Sequence, residues 1–210
     1  MQRIAAFFTT LFIMAGSFFV GLPHMVYPWD KPGKTVTDTA QVLALYQEIA
    51  KKNTNTEFRE IIKDLAYGVP GQEMKPGPFS KSRKIIRGMP GEPAALEATD
   101  LISAKAEHYH NGRTVVITLK LRGGDNQAVS RAIGGITIER LLEELGETGS
   151  ALFESPVLQY KNPSVMIRVN AASGKIVAAN YSCQAITTLT LNFGSRNQAR
   201  MEQDYTIKKP

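Results

Sequence analysis

The sequence predicts an α+β domain: a curved antiparallel β-sheet of about six strands ending in a C-terminal meander, covered on one face by two or three helices and preceded by an N-terminal hydrophobic helix. Asn111-Gly112 lies between two runs that alternate apolar with polar residues, and the second half of the chain repeats such alternation between turn residues. Three other segments carry apolar residues three and four positions apart, the helical spacing. A sheet with a single apolar face must bury it, and helices with one apolar stripe are suited to cover it.

No Asp, Glu, Lys or Arg lies between Arg3 and Asp30, and Ile4 to Val20 is almost wholly apolar. A helix needs about 20 residues to cross the ~30 Å hydrocarbon core. Residues 4–26, ended by the amphipathic Tyr27 and Trp29, are therefore expected as a membrane anchor. A cleavable secretory signal is the rival expectation, with Arg3, an apolar stretch from Ile4 to Met14 and the small Ala15-Gly16-Ser17. Cleavage after Ser17 would expose Phe18-Phe19-Val20 at the new terminus, which favours the anchor. The expected division is 1–34, a signal-anchor or signal peptide with a short linker, and 35–210, a single extracytoplasmic domain. The expected location is the cell membrane, single-pass with the C-terminal domain outside the cytoplasm, or the secreted pool after cleavage.

About 175 residues follow Thr35, enough to bury roughly two thirds of the surface the unfolded chain would expose. Cys183 is the single cysteine, so no intramolecular disulfide forms; its place in a strand reads as a small buried hydrophobe rather than a reactive thiol. The chain has 25 Lys+Arg against 19 Asp+Glu, a net charge of +6. This mild excess thickens between Lys75 and Arg87, where Lys81, Arg83, Lys84 and Arg87 share a segment with Pro76, Pro78 and nearby glycines. A long irregular loop is expected there, either simply solvated or in contact with an anionic polymer or lipid headgroups. Nucleic acid is disfavoured as a partner, because Phe79 is the segment's sole aromatic and no reading helix accompanies it.

Thr37 or Asp38 opens the clearest helix, which carries Val42, Leu45, Tyr46 and Ile49 on one stripe. Glu57 to Leu65 repeats the spacing with Phe58, Ile61, Ile62 and Leu65 and is expected as helix. A two-residue loop at Asn111-Gly112 sets Ile102 opposite Leu121, Ala104 opposite Leu119, Ala106 opposite Ile117 and His108 opposite Val115, all on one face. Ile138, Leu141, Leu142 and Leu145 predict a short helix closed by Gly146. Strands follow: Val165, Ile167 and Val169 alternate with polar neighbours, Ser173-Gly174 turns, Lys175 to Cys183 returns, Leu189, Leu191 and Phe193 alternate, and Met201, Tyr205 and Ile207 close the chain.

The run Leu43 to Ala50, the segments Leu101 to Leu119 and Tyr160 to Tyr181 with Ala172-Ser173-Gly174-Lys175 at its centre, and the closing Asp204-Tyr205-Thr206-Ile207 resemble a group of uncharacterised extracytoplasmic proteins of clostridial Firmicutes. Those are similar in outline to the LolA/LppX-like lipoprotein-carrier half-barrels. The resemblance covers most of residues 37 to 207 and implies a strongly curved sheet beside a helix. It implies no activity for any named residue, and the chain lacks the lipid-attachment cysteine of lipoprotein carriers.

No catalytic constellation emerges. His108 and His110 stand at i, i+2 on one strand face, too few for a metal site, with Glu107 on the other face; His24 falls in the apolar segment's tail. Glu143 with Glu144 and Glu57 with Glu60 are carboxylate pairs by adjacency alone, expected on solvated helix faces. Gly123-Gly124 and Gly134-Gly135 lack the Lys-Ser/Thr ending of a phosphate loop. The chain is not read as an enzyme, and no cofactor or metal is expected.

Two functions of different classes follow. In one, the domain is a non-catalytic interaction or structural domain of the cell envelope whose inner face is a solid core and whose partner is a lipid surface, an envelope polymer or a protein. In the other, it is a carrier whose inner face holds an apolar, lipid-like ligand between sheet and helices, where small Ala104 and Ala106 lie beside Ile117 and Leu119.

Overall fold

The computed structural model describes residues 26, 30–69, 73, 75–76, 80–123, 126–134, 156–190 and 198–209. The expected apolar helix at 4–26, apart from Val26, and the expected helix of Ile138, Leu141, Leu142 and Leu145 lie outside the described residues, as do His24, Glu143, Glu144, Leu191 and Phe193. Among the described residues, no helix is long and apolar enough to cross a membrane.

The chain builds strand β1 (Lys34–Val36), helix α1 (Thr39–Lys52), strands β2 (Glu57–Gly68), β3 (Lys75–Pro76), β4 (Ser80–Arg87), β5 (Leu101–Tyr109) and β6 (Thr114–Leu121), helix α2 (Asn126–Ile133), and strands β7 (Val157–Asn170), β8 (Ile176–Thr190) and β9 (Gln198–Lys209). The strands form one open, nine-stranded antiparallel sheet in the order β1-β5-β6-β7-β8-β9-β2. Along its far side β2 pairs with β4 over Glu57 to Lys63 and with β3 at Ala66 and Tyr67.

About six strands were expected, and the described residues form nine. Glu57 to Leu65 is not helix but the first part of β2, hydrogen-bonded to β9 on one side and β4 on the other. Phe58 and Ile62 face the core, and the buried carboxylate of Glu60 between them hides the alternation from a hydropathy reading. The basic segment is likewise no loop throughout: Ser80–Arg87 is a strand, and Lys and Arg are residues that edge strands tolerate well. Strand β8 runs on through Thr190 because Gln184-Ala185-Ile186-Thr187 contains no turn residue, so two expected strands are one.

The β5–β6 hairpin keeps the expected register from His108↔Val115 through Ala104↔Leu119. Asn111 and Gly112 have φ of 56° and 82°, and the Arg113 amide donates to the His110 carbonyl at 3.2 Å, the geometry of a type I′ turn. Farther out, a bulge between Leu101 and Ser103 corrects the register: Leu101, not Ile102, stands opposite Leu121. Ile102 is consequently 66% exposed.

Helix α1 starts where expected, with the Gln41 amide donating to Oδ1 of Asp38 at 2.8 Å. Val42, Leu43, Tyr46 and Ile49 are its buried residues; Leu45 only borders the core, so Leu43 takes the place expected for it. The helix packs on β5, and its buried side chains join Ala106, Ile117, Ile167, Tyr181 and Ile207 in one continuous core. Helix α2, which the sequence reading did not anticipate, buries Ala128, Val129, Ala132 and Ile133 and packs on β7.

Asn53, just past α1, fastens helix to sheet. Its Nδ2 donates to the carbonyls of Ile49 at 2.8 Å and Gly174 at 2.9 Å, while its Oδ1 accepts from the Ile176 amide and the Thr56 hydroxyl, both at 3.1 Å. Asn53→Ala removes these bonds and strands buried backbone groups, so it is expected to cost roughly 2–4 kcal/mol in urea unfolding. Asn53→Asp should cost a similar amount, because a carboxylate cannot donate to the two carbonyls.

Candidate functional site

Period-two alternation gives the sheet an inner and an outer face. Ala104, Ala106, Ile117 and Leu119 all point inward. They are buried in the core shared with Val42, Tyr46 and Ile49 of α1.

The inner face also holds polar groups. The Tyr205 hydroxyl donates to Oε1 of Glu60, whose side chain is fully buried. Glu57, three residues earlier, is on the opposite face and exposed, its Oε1 3.4 Å from Nε of Arg87, so the strand separates these two carboxylates. The Tyr46 and Tyr181 hydroxyls lie side by side, near enough to influence each other's ionisation, and neither meets a further hydrogen-bond partner among the described residues. Burial pushes both phenols well above the ordinary tyrosine range. Phe58 meets Tyr181 edge to face, with centroids 5.8 Å apart.

The histidine pair does not gather ligands. His108 stays in β5, whereas His110 has left the strand for the turn, with φ of 51° and its Nε2 3.6 Å from Oδ2 of Asp30. Among the described residues, no group of three His, Cys, Asp or Glu is arranged to hold a metal ion. The four expected surface cations all fall in β4. Lys81 stands opposite Ile62, Lys84 opposite Glu60 and Arg87 opposite Glu57, and Arg83 falls at the bulge between Glu60 and Ile61.

The outer face carries the open concavities. One groove of about 400 Å³ runs along Thr37, Thr39, Ile102, Ser103, Lys105, Thr118 and Lys120. Another, polar and about 340 Å³, lies around Asn162, Ser182, Gln184, Asp204 and Thr206. The most apolar of the larger grooves, about 390 Å³, is lined by Glu57, Phe58, Arg59, Ile61, Ile85, Lys208 and Lys209 at the β9–β2–β4 corner. Arg59 stands there directly between Lys208 of β9 and Ile85 of β4, and Ile85 is 62% exposed. Sequence reasoning missed this arrangement, because Arg59 and Lys208 meet only through the β2–β9 pairing. The four consecutive residues Ser82-Arg83-Lys84-Ile85 advertised charge without revealing which face it would occupy.

No family model, curated protein or solved structure matches the chain.

Cys183 is buried on the inner face of β8, in the core with Tyr181 and Ala185. Burial, with Asp204 adding to it, pushes its thiol from the ordinary 9.0 up to about 12. The native thiol should therefore resist a disulfide reagent at pH 8 and react once urea unfolds the chain. Its neutral form contributes stability fully below the unfolded thiol's value, and that contribution is lost as pH rises toward about 12. Chemical denaturation at stepped pH should show stability falling above about pH 8.5, less steeply in Cys183→Ala.

Proposed function

We propose that this chain is a non-catalytic binding domain of the cell envelope, held at a membrane through residues 4–26 or exported after signal cleavage, and that it works through the outer face of its sheet. The observation that supports this is the unequal use of the two faces. Helix α1 and the strands fill the inner face with Val42, Tyr46, Ile49, Ala106, Ile117 and Leu119, while grooves of several hundred Å³ open on the outer one. That is the size of a ligand site.

A packed inner face predicts that Ala104→Phe and Ala106→Phe overpack it and destabilise the fold by roughly 1–3 kcal/mol in urea titration. Native mass spectrometry of the purified chain should then give a bare mass. The carrier reading keeps one observation of its own, the buried Tyr46 and Tyr181 hydroxyls between α1 and β8, which meet no further partner among the described residues and which a ligand's polar end would satisfy. An apolar adduct removed by organic extraction and absent from Ala104→Phe, with the variant as stable as the parent, would favour that reading and overturn the first.

A further inference from the structure

We propose that the groove at the β9–β2–β4 corner binds a small amphiphilic anion, its phosphate or carboxylate head held between Arg59 and Lys208 and its compact apolar body resting on Ile61 and Ile85. This rests on the outer face being the working surface and names the class of ligand one of its grooves takes.

Electrostatics carries the first step. Three cations on this sheet have carboxylates beside them, Arg200 reaching Glu202 at 2.7 Å, Lys105 reaching Glu107 at 3.1 Å and Arg87 reaching Glu57 at 3.4 Å, and others, such as Lys120 and Lys161, stand opposite uncharged residues. Arg59 and Lys208 stand directly opposite each other, an arrangement in which like charges repel. Neither forms an ion pair with any described residue, Lys209 adds a third positive charge to the lining, and the lining's only carboxylate, Glu57, is engaged by Arg87. An anionic head between the two cations would turn their repulsion into two charge-assisted contacts, a planar guanidinium fork on one side and a point charge on the other.

Shape and apolarity carry the second. Ile85 is a large aliphatic side chain left mostly in water beside Arg59, and Ile61 continues the same wall. A bare inorganic anion would leave both uncovered. A head group attached to a body of a few carbons covers them, and about 390 Å³ accommodates such a molecule. The bulge between Glu60 and Ile61 falls within this wall, a device that re-aims side chains beside functional sites.

The test is calorimetric titration of the full chain, held in phosphatidylcholine nanodiscs with empty discs as control, using butyl phosphate, inorganic phosphate and 1-butanol. Saturable binding of butyl phosphate is expected, at least tenfold tighter than either fragment. Arg59→Gln and Lys208→Gln should each weaken it tenfold or more, and Ile85→Ser should reduce it to the level of inorganic phosphate. Each of the two cation variants should melt at or above the parent temperature, since it relieves repulsion; a lower melting temperature would mark a structural role instead. Equal binding of inorganic phosphate, or butyl phosphate binding that Arg59→Gln leaves unchanged, would overturn the inference. So would no binding, and if Ala104→Phe still destabilises the fold, the packed inner face survives that failure. Binding abolished by Ala104→Phe alone would remove the outer-face reading itself.

Discussion

The side-chain amide of Asn53 is the junction on which the division of labour in this fold depends. Helix α1 has one covalent connection to β2 and no backbone ladder to the sheet it covers; its side chains would tolerate sliding, because apolar contact is not directional. Four hydrogen bonds through one buried amide remove that freedom: two are local, to Ile49 and Thr56, and two tie the end of the helix to the β7–β8 turn and to the first residue of β8. With the end of α1 fixed there, Tyr46 reaches Tyr181 and Val42 and Ile49 join the core above the central strands. The inner face is thereby committed to packing.

That commitment leaves the outer face to water and to whatever binds there. The two faces are chemically unlike, even along one strand. In β2, Phe58, Glu60 and Ile62 lie inside while Glu57, Arg59 and Lys63 lie outside, and the buried carboxylate is accommodated because the Tyr205 hydroxyl from the neighbouring strand donates to it. A hydrogen-bonded carboxylate inside and two like charges facing each other outside are departures from the simple pattern of apolar in, polar and balanced out. The first is answered within the protein. The second is not answered among the described residues, and a local rule broken without internal compensation is the kind of place where function is to be sought.

Much of the fold was legible in the sequence. The Asn111-Gly112 turn, the pairing from Ala104 to His108, the Asp38 cap of α1 and the alternation of β7 rest on local chemistry, which short stretches of sequence contain. What stayed hidden depends on distant partners. Glu57 to Leu65 has helical spacing in isolation and becomes a strand because β9 and β4 flank it. Helix α2 buries Ala128, Val129, Ala132 and Ile133 within only eight residues, a stripe too short to stand out from its neighbours until it packs on β7. Ile102 reads as a core residue until the Leu101–Ser103 bulge turns it outward. For the candidate site the loss was greater: composition marked the basic segment correctly as charged, but the cation facing Arg59 comes from the C-terminal strand.

The contrast between β4 and the corner groove suggests how the two kinds of positive charge on this domain differ. Charges on an edge strand are useful without any ligand, since they discourage edge-to-edge association, and Arg87 beside Glu57 is accounted for in that way. Arg59 has no such excuse: β2 is flanked by β9 and β4, and a positive charge there guards no edge. Nor does it stabilise its neighbour, because Lys208 opposite is also positive. A threonine or glutamine at either position would suit the sheet better on folding grounds alone. The proposed ligand answers both features at once, its anionic head between the two cations and its apolar body over the exposed isoleucine at their side.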